Sequence, residues 1–158
     1  MPGIYDFTAQ SLAGEQVPLK RFEGQVLLVV NTASACGFTP QYKGLEALHR
    51  ELSPRGFAVL GFPCNQFGAQ EPCDAKAIGA FCESKYDVTF PMFAKIDVNG
   101  SRAHPLYEYL KHEKSGLLGS SIKWNFTKFV IYRKGKVVGR HAPTVTPEGL
   151  RKEIEALL

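Results

Sequence analysis

Two short, unbroken apolar runs dominate the hydrophobic pattern: V-L-L-V-V at residues 26–30 and F-A-V-L-G-F at 57–62. Runs of this length are too short for a membrane span, and their β-branched residues suit strands covered on both faces. The first strand is expected over 25–32. A helical pattern follows over 40–52, with Tyr42, Leu45, Leu48 and Leu52 on one face, Thr39 at the N-cap and Pro40 in the first turn. Ser53-Pro54-Arg55-Gly56 breaks that helix before the second strand. A strand, helix and strand of these lengths predict parallel pairing through a right-handed crossover.

The flanking patterns complete the picture. Residues 4–8 and 16–19 around Ser11-Leu12-Ala13-Gly14 read as a small hairpin. Asp74 is placed to cap a helix running to residue 85, with Ala75, Ile78, Phe81 and Cys82 toward the core. A strand over 93–98, a turn at Asn99-Gly100 and a short helix over 104–111 come next. A Gly- and Ser-rich connector, 114–121, precedes an antiparallel pair, 129–133 with 136–140. Thr146 then caps a last helix with Leu150, Ile154 and Leu157 inward. This order predicts an α/β, thioredoxin-like fold: a central mixed sheet flanked by helices, with an N-terminal β-hairpin and an insertion. With no repeat or linker, residues 1–158 are expected to form a single domain.

Composition narrows the function. The formal charge of +4 is spread along the chain and clusters only at Arg133, Lys134, Lys136 and Arg140. With no aromatic platform or recognition helix beside it, that cluster reads as a solvated hairpin edge suited at most to an acidic protein partner, and no nucleic-acid partner is expected. The start carries no signal-peptide pattern and no run approaches a transmembrane length, so the expectation is a soluble, cytoplasmic protein without stable membrane insertion. Cysteines stand at 36, 64, 73 and 82, without a C-x-x-C pair or zinc-finger spacing. That excludes a metal site by pattern and favours transient redox chemistry over static disulfides. The histidines at 49, 104, 112 and 141 fall in no motif.

Cys36 is the candidate for reactivity. It lies between a buried strand and a helix start, so unpaired backbone N–H groups and the positive end of the helix dipole favour its thiolate. A lone free cysteine is most often a small buried hydrophobe. The sequence of strand, small-residue loop, cysteine and helix start outweighs that. The amide-rich loop 63–72 leaves the carboxyl end of the second strand, the same edge as the Cys36 loop, where open α/β sheets place their sites.

Three stretches, V-N-T-A-S-A-C-G-F-T at 30–39, L-G-F-P-C-N-Q-F-G-A-Q-E-P at 60–72 and W-N-F at 124–126, resemble the glutathione peroxidase family in its cysteine-containing, thioredoxin-dependent branch. The resemblance implies a catalytic tetrad of Cys36, Gln70, Trp124 and Asn125, with no bound cofactor. Taken singly, Trp124 would pass for a core aromatic, Gln70 for a loop surface group and Asn125 for a turn residue. Their joint occurrence reverses those odds. The implied chemistry is reduction of hydrogen peroxide and organic or lipid hydroperoxides through a Cys36 sulfenic acid. The two amides and the indole N–H would donate hydrogen bonds to sulfur and the developing oxyanion.

The branch resolves its sulfenic acid with a second cysteine in the helix after the second motif, a position held by Cys82. Cys73 departs from the pattern and ranks below it; Cys64 suits packing. A disulfide needs Cα atoms within roughly 4.4–6.8 Å, so the Cys82 helix is expected to open, and Gly79 in its middle weakens it. Thioredoxin is the implied reductant, with glutathione as an alternative. The short connector 112–123 resembles monomeric or weakly dimeric members. Two other readings stand beside the peroxidase. One is a peroxide sensor passing its oxidation to a partner protein. The other is a plain disulfide exchanger, disfavoured because Cys36-Gly37-Phe38-Thr39 lacks a second cysteine.

Overall fold

The computed structural model describes residues 3–116 and 119–158, so part of the predicted Gly- and Ser-rich connector lies outside the described residues. The first apolar run forms β3 (Val26–Thr32) and the second forms β4 (Phe57–Pro63), each buried along its whole length. They pair in parallel, with Val26 opposite Phe57 and Thr32 opposite Pro63. Between them runs α1 (Gln41–Leu52). β5 (Lys128–Ile131) lies antiparallel on the other side of β3, and β6 (Val137–His141) antiparallel on β5. The four-stranded order is therefore β4-β3-β5-β6, a mixed sheet. The hairpin of β1 (Thr8–Gln10) and β2 (Gln16–Pro18) stands apart from it.

Strand periodicity divides the core into two layers. Leu27, Val29, Leu60, Phe62 and Phe129 point to a layer shared with the N-terminal segment and α3 (Pro105–Glu113). Val26, Leu28, Val30, Val59 and Val130 point to the opposite layer, under α1, α2 (Ala75–Tyr86) and α4 (Arg151–Leu157). The fold is thus a helix-flanked mixed sheet carrying an added hairpin.

Three local expectations are corrected. Residues 93–98 do not form a strand. Phe93 N–H bonds Gly61 O at 2.9 Å and Ile96 N–H bonds Pro63 O at 2.9 Å, while Ala94 N–H turns to Gln10 O at 2.7 Å. The segment divides its donors between β4 and the N-terminal hairpin, and the preceding Pro91 has no N–H to give, so no continuous ladder forms. Residues 4–6 wind into a short 3-10 turn, and the hairpin strand begins at Thr8. Thr39 does not cap α1, because turns wind back from the helix to the cysteine, with Thr39 N–H on Cys36 O at 3.0 Å and Gln41 N–H on Phe38 O at 2.9 Å. Its hydroxyl is used in the loop instead. Asp74 does cap α2, its carboxylate accepting from Ala77 N–H at 2.9 Å.

Candidate active site

β3 and β4 end at the same level because Thr32 is registered opposite Pro63, so the loops that follow them leave side by side. Cys64 N–H donates to Thr32 O at 3.0 Å, and Ala35 N–H donates to Gln70 O at 3.0 Å. The second bond ties the residue preceding Cys36 to the backbone of Gln70. Within the first loop, Thr39 Oγ1 donates to Ala33 O at 2.8 Å and accepts from Cys36 N–H at 2.9 Å. Phe38 N–H points at Cys36 Sγ, 3.3 Å away. That backbone donor comes from the turn that leads into α1. Cys36 is 8% exposed, buried but not fully sealed.

The 63–72 loop is held by its own polar side chains. Asn65 Oδ1 accepts from Glu71 N–H at 2.9 Å. Gln66 Oε1 accepts from Val98 N–H at 2.7 Å and Asn99 N–H at 3.0 Å. Gly68 sits at φ +67 with an added Cβ 3.2 Å from Trp124 Cη2, so both backbone and space call for glycine there. Ala69 follows at φ +51, a left-handed conformation costing roughly 1–2 kcal/mol in a residue with a Cβ. Phe126, just after Asn125, has φ +65. The chain is thus strained immediately beside both candidate amides, a pattern concentrated at functional sites.

The 124–127 turn is fixed from several sides. Asn31 Nδ2 donates to Trp124 O at 3.1 Å, Thr127 Oγ1 donates to the same oxygen at 3.0 Å, and Phe126 N–H donates to Asn31 O at 2.7 Å. Asn125 Nδ2 donates to Gln70 Oε1 at 3.0 Å and to Phe67 O at 3.4 Å. Trp124 packs on the Phe67 ring, 5.8 Å between centroids, and touches both core layers, including the one that holds Cys36.

Gln70 and Asn125 are therefore joined directly, Gln70 reaches the Cys36 loop through its backbone, and Trp124 shares an apolar layer with Cys36. One expectation changes. The Asn125 amide is engaged with Gln70 and Phe67, and the hydrogen bond to Cys36 Sγ comes from Phe38 N–H among the described residues. The Asn125 amide nitrogen is thus satisfied by the Gln70 amide oxygen and the Phe67 carbonyl.

All four cysteines are free. Cys82 is buried in the same layer as Cys36, whereas Cys64 lies in the other and Cys73 is exposed. Burial pushes the Cys82 thiol up to about 11, with the Glu71 carboxylate adding to the effect and Tyr42 opposing it. Burial also raises Cys64. Glu71 is itself fully buried. Its carboxylate accepts from Ser34 Oγ, Lys95 Nζ holds its backbone oxygen at 2.9 Å, and burial raises its pKa against those partners.

Reading the residues alone passed over Asn31, Glu71 and Lys128. Each left a trace in the sequence: a polar or charged residue inside an apolar run or directly after a motif glutamine. A cleft of about 550 Å³ lined by Lys123, Thr127, His141, Pro143 and Val145 lies beside this machinery, but none of Cys36, Gln70, Trp124 or Asn125 lines it. Among the described residues no group of three or more His, Cys, Asp or Glu is arranged to hold a metal, and no helix is long and apolar enough to cross a membrane.

The chain matches the glutathione peroxidase family model over residues 4–111. It is 54% identical to the hydroperoxy fatty acid reductase gpx1 of Synechocystis sp., covering 98% of this chain and 95% of that protein. It is 50% identical to the glutathione peroxidase-like peroxiredoxin GPX5 of Chlamydomonas reinhardtii, with 99% and 97% covered. Among solved structures, an apo crystal structure of Trgpx superposes with a TM-score of 0.82 at 46% identity, covering 99% of this chain and 96% of that one. A thioredoxin-family thiol:disulfide interchange protein from Chlorobium tepidum TLS, with 98% and 94% covered, shares the fold at a TM-score of 0.74 and 15% identity. By its motifs, its fold and these relatives, the chain belongs to the glutathione peroxidase family.

Proposed function

We propose that residues 1–158 act as one catalytic unit, a cytoplasmic thiol peroxidase that reduces hydrogen peroxide and organic or lipid hydroperoxides through Cys36 and is recycled by thioredoxin. The supporting observation is the chain of bonds from the Cys36 loop through the Gln70 backbone to the Asn125 amide. Cys36 thiolate attacks the terminal peroxide oxygen. The O–O bond breaks, the sulfur becomes sulfenic acid, and the departing alkoxide or hydroxide takes a proton to leave as alcohol or water. Gln70, Trp124 and Asn125 supply neutral donors for the charge that develops on that oxygen.

Resolution falls to Cys82, whose thiol displaces the hydroxyl of the sulfenic acid as water and forms a Cys36–Cys82 disulfide. Buried at the inner face of α2, Cys82 is held protonated. Opening α2 brings the thiol out and relieves the desolvation that keeps it protonated, so the same motion delivers and activates it. A dithiol reductant of the thioredoxin type then regenerates both thiols by exchange. The gpx-like peroxiredoxin names of relatives agree with that donor. The basic hairpin edge suits an acidic partner, and the enzyme works as a monomer or weak dimer.

The test is NADPH oxidation coupled through thioredoxin reductase and thioredoxin, with glutathione and its reductase as the parallel donor. Sustained turnover with thioredoxin, lost in Cys36→Ser and Cys82→Ser and kept in Cys73→Ser, supports the proposal. A single stoichiometric turnover would instead indicate a peroxide sensor that hands its oxidation to a partner protein.

A further inference from the structure

Lys128 is a charged residue where the mechanism above uses none. It sits in β5, 0% exposed, with no carboxylate in salt-bridge contact among the described residues. A methionine would fill similar space without the cost of burying an ammonium group, so packing alone does not account for a lysine. What the ammonium does is bind backbone. Nζ donates to Phe126 O at 2.8 Å and to Pro143 O at 3.4 Å.

Both acceptors belong to the surroundings of the site. Phe126 is the left-handed residue that follows Asn125, with its N–H already fixed by Asn31, so Lys128 secures the other end of the same peptide pair. Pro143 O also accepts from Gln41 Nε2 at 2.7 Å, and Gln41 is the first residue of α1, immediately beyond the Cys36 loop. A single carbonyl thus joins the Cys36 side of the site to the Trp-Asn side, and Lys128 is the cation at that junction.

We propose that Lys128 is a positioning residue for the peroxide-reducing step: by holding the Phe126 and Pro143 carbonyls together, it sets the orientation of the Trp124 indole and the Asn125 amide relative to Cys36. This rests on the catalytic reading of those residues. Charge matters because an ammonium donor bonds a carbonyl roughly twice as strongly as a neutral one. Burial draws Lys128 down to about 8, with Glu148 opposing. The groups facing it are Glu148 from the 148–150 turn, the neutral Gln41 from α1, and His141, its registered neighbour on β6, whose ring is paired with Glu153 of α4. The junction therefore loosens as pH rises through about 8.

The chain has a single tryptophan, so its emission reports Trp124 alone. The experiment follows Cys36 oxidation by hydrogen peroxide in single turnover, using rapid alkylation and mass spectrometry. Trp124 emission is recorded separately from pH 6 to 10 in a Cys36→Ser background that removes the thiol. Lys128→Met is expected to slow oxidation about tenfold or more. Thioredoxin reduction of its preformed disulfide should stay within about twofold of wild type, a split that general unfolding would not give. The Cys36→Ser protein should show an emission transition near pH 8 that Lys128→Met abolishes. Oxidation of Lys128→Met at the wild-type rate, or an emission transition that persists without Lys128, overturns the inference. If Lys128→Met does not fold, absence of the transition in Cys36→Ser alone overturns it. Should Trp124→Phe and Asn125→Ala leave oxidation unchanged, the catalytic reading itself fails; if they slow it and Lys128→Met does not, only the role of Lys128 falls.

Discussion

Helices α1 and α2 are each twelve residues long and lie over the same face of the sheet, yet they are anchored very differently. α1 buries Tyr42, Gly44, Leu45, Glu46, Leu48 and Leu52; α2 buries only Ile78 and Cys82. Glu46 adds bonds to Thr89 N–H at 2.8 Å and Phe90 N–H at 3.4 Å. On the proposed mechanism, the helix that follows the attacking cysteine is the firmly anchored one, and the helix carrying the resolving cysteine is the lightly anchored one. Local opening costs scale with the apolar contact that must be given up, so the two helices sit at opposite ends of that scale.

Four outcomes would sharpen or break that contrast. The largest concerns the thiols: Cys36→Ser should show no peroxide turnover, while Cys82→Ser should still consume about one equivalent of peroxide per chain and then stop, measured by peroxide loss and sulfenic acid trapping. Equal behaviour of the two variants would remove the division of labour. Next, Leu45→Ala in α1 should destabilise by about 2–5 kcal/mol in urea unfolding, and Phe81→Ala, on the half-exposed face of α2, by clearly less. Third, Gly79→Ala should strengthen α2 by about 1 kcal/mol and slow Cys36–Cys82 disulfide formation about fivefold, with amide exchange at 75–86 slowed in parallel. An added Cβ there meets only Leu12 Cδ1, at 4.0 Å, so no clash offsets the gain. The smallest effect is on pH. The Cys82 thiol lies higher folded, at about 11, than its ordinary value near 9, so the folded state holds that proton more tightly. Its contribution to stability is complete below pH 9 and lost between 9 and 11. Cys82→Ala should flatten thermal stability over that window.

Much of this was legible because the signals were local. Unbroken apolar runs located β3 and β4, and Asp74 gave the start of α2. The three motifs named Cys36, Gln70, Trp124 and Asn125 before any of them had neighbours. What the chain did not disclose depends on non-local geometry. The stretch 93–98 has the composition of a strand, but it faces two different partners. Thr39 looks like a cap from its neighbours, and its hydroxyl is drawn instead to Ala33 and Cys36 across the loop. Lys128 went unremarked at the edge of the expected strand 129–133, and one of its partners, Pro143 O, comes from a residue distant in sequence.

The sheet also separates the thiols chemically. Cys64 faces one core layer while Cys36 and Cys82 face the other. Four cysteines in a chain proposed to cycle through sulfenic acid and disulfide invite mispairing. The close-packed strands stand like an electrical insulator between the two layers. On the proposed cycle, oxidising equivalents arise at Cys36 on the opposite face of the sheet from Cys64, so a Cys36–Cys64 pairing has to reach across the packed strands.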